Sequence, residues 1–140
     1  RSMNRDIRLV LADVKERLTS IESSMDTINQ EIIDKHRRRI QSLLEDYTVD
    51  DGRIEQELAL LLDKMDIREE VVRCASHIDQ FLILLDQRDP VGKQMNFLLQ
   101  EMGREINTIG SKANSTGIIN TVIDLKSDIE KIREQVQNIL

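Results

Sequence analysis

A chain of 140 residues with 39% hydrophobic and 33% charged side chains is long enough for one sizeable core and too apolar to stay disordered as a whole. Aromatic residues make up only 2%, and five glycines with a single proline cannot punctuate many short strands, so an all-β fold is excluded. The formal charge of −6 repels polyanions and anionic membranes on average, which leaves any such contact to local basic side chains.

In chain order, the first element runs from Asn4 to about Glu45. Its apolar residues Ile7, Leu11, Val14, Leu18, Ile21, Met25, Ile28 and Ile32 alternate steps of four and three, which is a heptad seam. Lys35 and Arg39 occupy the next seam positions, and the apolar line resumes through His36, Ile40, Leu43 and Tyr47, as a stutter would place it. A helix this long without internal caps predicts a coiled-coil-like arm over residues 1–51. Thr48 to Gly52 is a turn with an N-cap carboxylate, after which Ile54, Leu58, Leu61 and Met65 rebuild the helical pattern. Asp66-Ile67-Arg68-Glu69 has capping-box-like spacing and restarts a helix to about Arg88. Asp89-Pro90 starts another, which carries Val91, Met95, Leu98, Met102, Ile106 and Ile109 and ends between Gly110 and Ala113. Asn114 to Gly117 reads as a loop, and Ile118 to Ile139 as a final helix with strict heptad spacing. The fold class is therefore all-α, four to five helices, with the arm followed by a helical bundle over residues 52–140.

Cys74 is the only cysteine, so no intrachain disulfide forms, and a reducing cytoplasmic setting fits. No apolar run reaches membrane-spanning length and no secretory leader is visible; Arg1 to Met3 reads as a cloning scar or a remnant.

Three groups of residues stand out chemically. Glu101 and Glu105 lie one helical turn apart, with Thr108 and Lys112 continuing the line and the apolar seam about 90° away. Two carboxylates so placed can bind a divalent cation, and a lysine two turns on can hold a phosphate beside it; a solvated helix face has the same spacing. His77 shares a stripe with Arg73 and Glu70, where an imidazole can act as a ligand, move protons, or simply pack. Lys35-His36-Arg37-Arg38-Arg39 is the one dense basic run, and helical geometry spreads it around the axis, so only a subset can touch one phosphate backbone. The scarcity of aromatics argues against a platform for stacking bases. Gly103, inside a helix at a cost of roughly 1 kcal/mol, suggests close packing or a bend.

The stretch from Asp89 to Asn114, DPVGKQMNFLLQEMGREINTIGSKAN, closely resembles the hallmark of the YicC/YloC family of bacterial endoribonucleases. The resemblance extends back through Asp66 to Glu70 and Ser76 to Phe81, and forward through Leu125-Lys126 and Ile129 to Ile139. It departs at Asn96, where the family has Asp, and at Gly103, where it has Asn. The resemblance implies a cytoplasmic, metal-dependent ribonuclease acting on RNA, assembled as a ring-like homohexamer without a membrane anchor. It also implies an N-terminal domain that this sequence does not contain, so the chain is expected to be a C-terminal half. On that footing Glu101, Glu105 and His77 are the expected catalytic residues. The same three with Glu70 are the expected ligands of a divalent Mn²⁺ or Mg²⁺, and Arg73, Arg104 and Lys112 the expected RNA phosphate contacts. A non-catalytic helical oligomerisation or adaptor module is the rival reading, because the heptads alone serve it equally well.

Overall fold

In a computed structural model of the chain, residues 2–45, 50–87, 91–113 and 115–139 are described. They form five helices: α1 (Ser2–Leu43), α2 (Asp51–Lys64), α3 (Arg68–Leu85), α4 (Gly92–Lys112) and α5 (Thr116–Ile139). There is no strand among the described residues, and none of the described helices is long and apolar enough to cross a membrane.

The heptad seam of α1 decides the architecture. Ile7, Leu11, Val14, Leu18 and Ile21 are enclosed in one core with Ile67, Cys74, Ile78 and Phe81 of the α3 region, Leu99, Met102, Ile106 and Ile109 of α4, and Leu125, Ile132 and Val136 of α5. Neighbouring pairs are α1 with α3, α3 with α4, α4 with α5, and α5 with α1. The result is an up-down-up-down four-helix bundle, in which short antiparallel connections let each apolar stripe face the same centre. Polar contacts at the rim fix the registers. Asn4 donates to the carbonyl of Leu85 at 2.9 Å, Lys15 reaches Asp79 at 2.6 Å, and Arg17 reaches Asp124 at 2.9 Å and Asp128 at 3.2 Å. Burial pushes the Asp128 carboxyl above the usual carboxylate range, against the opposing pull of Arg17 and Lys131.

At 1.5 Å per residue, the 42 residues of α1 span about 63 Å, whereas the 21 residues of α4 span about 31 Å, so α1 overruns the bundle. Its first half belongs to the common core, and only the part beyond Ile28 stands outside it. There Ile32, Ile33, His36 and Ile40 are half-buried and α2 packs alongside, joined by an Arg37–Glu55 ion pair. Leu58 is the only residue of α2 that is buried, and Leu43 and Leu60 are exposed. The helix runs unbroken through the stutter at Lys35 and Arg39.

Local signals explain the ends. Asp50 caps α2 by accepting from the Gly52 N–H at 3.0 Å. Between α2 and α3 the expected capping box does not close. Asp66 accepts instead from the Arg68 N–H at 3.0 Å and from its guanidinium, while Glu69 turns to Arg73. The Arg68 side chain, then its backbone N–H, holds the Asp66 carboxyl down at about 2. The final helix starts earlier than its apolar pattern, at Thr116, because the Ser115 hydroxyl accepts from the Ile118 N–H at 3.3 Å. Tyr47, the turn at Thr48 and Val49, the Asp89-Pro90 start and Asn114 lie outside the described residues.

Gly103 meets no atom within 4 Å of an added Cβ, so the close packing expected there is absent. It occurs at Gly110 instead, where a Cβ would lie 3.2 Å from Val122 Cγ1 on α5.

Candidate functional site

The seven expected site residues come from two antiparallel neighbours, α3 and α4. At one end Lys112, in the last turn of α4, donates through Nζ to both carboxylate oxygens of Glu70, at 3.2 and 3.1 Å, and to the carbonyl of Asp66 at 3.3 Å. Glu70 sits in the first turn of α3 and is only 4% exposed. The pair thus joins an anion near a helix N-terminus to a cation near a helix C-terminus, both favoured by the peptide dipoles.

One level further along, the direction of the pair reverses. Arg73 of α3 reaches Glu105 of α4 at 3.7 Å, and also Glu69 on its own helix at 2.9 Å. Glu105 is 7% exposed, whereas half of the Arg73 side chain faces solvent. The charge of Glu105 and the burial of the site have a neighbour to act on: the Cys74 thiol is pushed up to about 12, chiefly by burial and secondarily by Glu105. Cys74 is therefore an apolar filler rather than a nucleophile.

His77 follows Arg73 by four residues and Glu101 precedes Glu105 by four, so the same antiparallel register places His77 at the level of Glu101. The imidazole is half-buried, with Nδ1 enclosed and without a hydrogen-bond partner. Glu101 keeps 23% of its side chain exposed, and Arg104, 77% exposed, stands 3.9 Å from it.

Six of the seven expected site residues are thus joined in three pairs, Glu70 with Lys112, Arg73 with Glu105 and Arg104 with Glu101. Glu70 and Lys112 are partners of one another, and Glu105 is a buried member of a cross-helix pair rather than part of a wet stripe. Those pairings were missed because a position 90° from a seam is a flank that the next helix can cover, and sequence spacing does not show which helix that is. Complementary charges at matching positions of two adjacent antiparallel helices were the available signal.

The four expected metal ligands do not assemble. Among the described residues no three His, Cys, Asp or Glu side chains converge to hold an ion, and three of the four carry a cationic partner already. The donor set of the described residues does not fit a complete divalent-metal site. What these side chains can do unaided is contact phosphate through Arg73 and Arg104, whose guanidiniums reach solvent.

Comparison with known proteins places the sequence in a family. A family model described as Endoribonuclease YicC-like, C-terminal, matches residues 21–140. The chain is 42% identical over 135 residues to a probable endoribonuclease YicC of Clostridioides difficile, covering 96% of this chain and 46% of that protein. It is 33% identical over 131 residues to a protein of the same name from Haemophilus influenzae, covering 90% of this chain and 46% of that one. The chain spans about half the length of the curated relatives it matches, and it belongs to the YicC-like endoribonuclease family as the C-terminal part.

Proposed function

We propose that this chain is the helical portion of a bacterial endoribonuclease that hydrolyses RNA phosphodiester bonds in the cytoplasm, and that the α3–α4 groove is its contribution to the active site. One observation supports the reading: Arg73 pairs with Glu105 and Lys112 with Glu70 across α3 and α4, and that antiparallel register would bring His77 to the level of Glu101 beside Arg104. The names of the relatives support the RNA substrate.

In this mechanism Arg73 and Arg104 bind the nonbridging oxygens of the phosphodiester and stabilise the charge that builds on phosphorus. His77 and Glu101 exchange protons with the attacking and departing oxygens, one as base and the other as acid. Lys112 and Glu70 hold the two helices in register, which makes them positioning residues. The expected Mn²⁺ or Mg²⁺ has no complete donor set in one chain, so no step runs through it. A chain of net charge −6 holds RNA weakly alone, so the missing half of the relatives' length and further copies, up to the expected homohexamer, complete the surface. Exposed Leu43 and Leu60 on the α1–α2 extension and Ile123 on α5 support self-association.

The test is cleavage of a labelled single-stranded RNA by the protein in its full relative-like length. Glu101→Gln and His77→Ala should each slow cleavage by about 10²- to 10⁴-fold, the range of general acid–base catalysis, with helicity and melting temperature retained. Both variants cleaving at the parent rate would remove His77 and Glu101 from the chemistry and overturn the α3–α4 contribution to the active site.

A further inference from the structure

Past His77 and Glu101 the α3–α4 groove opens into a cleft of about 600 Å³, bordered by Gln80, Ile83 and Gln87 of the α3 side and by Lys93, Gln94 and Phe97 of α4. Its floor and walls differ from the rest of the surface in two ways. Among the described residues that line it none bears a carboxylate and one, Lys93, is a cation, in a chain whose net charge is −6. Phe97 is 58% exposed there, whereas Phe81, the other described aromatic residue, is wholly enclosed in the core.

We propose that this cleft is a nucleobase subsite, taking one unstacked base of a single-stranded RNA whose neighbouring phosphate lies on Arg104 and Arg73. The inference rests on the RNA reading above and deepens it. Phe97 precedes Glu101 by one helical turn and Arg104 by two, about 6 and 10 Å along α4, so a strand held at its phosphate by Arg104 passes directly over the ring. A base laid on that ring buries its apolar face against Phe97 and Ile83. The amides of Gln80, Gln87 and Gln94 each offer a donor and an acceptor to its edge, and Lys93 meets the next phosphate. Base faces in a duplex are already stacked, so the subsite selects single strands, loops or ends. The apolar area is one ring wide and framed by amides, which suits a planar heterocycle better than the broad apolar face of a protein partner. The paucity of aromatics in the sequence suggested that no stacking platform exists; one exposed ring beside a phosphate-binding groove is sufficient for one.

The test is fluorescence anisotropy with the protein and three probes: a labelled single-stranded RNA, an abasic ribose-phosphate chain of equal length, and an RNA duplex. Phe97→Ala should weaken single-strand binding about tenfold, equivalent to ~1.4 kcal/mol, while Phe97→Tyr keeps the parent affinity and neither substitution changes binding of the abasic chain. Because Phe97 is exposed, Phe97→Ala opens no core cavity, and an unchanged circular dichroism melt checks this. Equal affinity of parent and Phe97→Ala for single-stranded RNA would overturn the subsite while leaving the RNA reading standing. A parent protein that binds no RNA overturns both. A Phe97→Ala variant that changes oligomeric state by light scattering, with RNA affinity per chain unaltered, would assign the cleft to a contact between copies instead.

Discussion

Replacing Lys112 by methionine tests the most consequential pairing in the groove. Among the described residues Lys112 is the only cation paired with the Glu70 carboxylate, contacting both oxygens at 3.1 and 3.2 Å, and Glu70 itself is 4% exposed. Methionine retains the packing of the lysine stem and removes the charge, so it leaves a buried carboxylate without a partner. Breaking a fully buried ion pair costs 3–5 kcal/mol; because the Lys112 side chain is 34% exposed, water screens part of the loss, and about 2 kcal/mol is the reasoned figure. For a domain of this size that corresponds to a fall in melting temperature of about 6–8 °C. Glu70→Gln should cost less, about 1 kcal/mol, since the amide oxygen still accepts from lysine. The double variant Glu70→Gln, Lys112→Met should then lose clearly less than the sum of the two single losses, with a coupling energy of at least about 1 kcal/mol. Urea denaturation followed at the helical circular dichroism band, with the slope unchanged across the set, measures all four corners of the cycle. A Lys112→Met variant within ~0.5 kcal/mol of the parent, or strict additivity of the two changes, would refute the claim that this pair holds α3 on α4.

Three further outcomes are expected. Gly103→Ala should stabilise the protein by about 0.5–1 kcal/mol, since the helix has room for the methyl group, whereas Gly110→Ala should gain clearly less because Val122 must yield at 3.2 Å; thermal melts of the two side by side decide this. Asp66 has a folded pKa of about 2 against an ordinary value of 3.8, so its stabilising contribution is complete above 3.8 and is lost as pH falls towards 2; an NMR titration of the carboxyl should give that low midpoint, and Arg68→Ala should raise it. The Cys74 thiol, buried and pushed up to about 12, should react with iodoacetamide near neutral pH only at the rate at which the bundle opens, and modification of the native protein at the rate of a free thiol would contradict its placement.

The bundle was legible where one physical requirement acted alone. Steps of four and three from Ile7 to Met25 and from Ile118 to Val136 leave a single apolar stripe, and every one of its members is buried except for the thinning at the end of the α1 seam. The Asp50 cap was legible for the same reason, since a carboxylate one residue before a helical pattern has one obvious acceptor role. The basic run from Lys35 to Arg39 also behaves as its spacing suggests, spread around α1 with Arg37 turned to Glu55 of α2. Of the two readings of Gly103, close packing or a bend, the packing one fails, since an added Cβ there meets nothing within 4 Å.

The site was less legible because its members answer to two helices at once. A wheel drawn for α4 alone puts Glu105 beside the apolar stripe, where either water or a neighbour is consistent with the sequence. The neighbour is α3, and the reciprocal arrangement of the charges makes its position specific. With Lys112 of α4 on Glu70 of α3, and Arg73 of α3 on Glu105 of α4, each helix supplies one anion and one cation to the seam. Sliding α4 by one turn so that Arg73 meets Glu101 would bring Thr108 to Glu70, leaving a buried carboxylate without a cation. Sliding it the other way would bring Ile109 to Arg73 and carry Lys112 away from Glu70 altogether. The registers that apolar packing alone would tolerate are thus separated by the cost of an unpaired buried charge, and the one that survives sets His77 level with Glu101 and Phe97 one turn beyond. Glu70, Glu105 and Lys112, to which the proposed mechanism gives no direct part, therefore help decide whether His77 and Glu101 stand at one level.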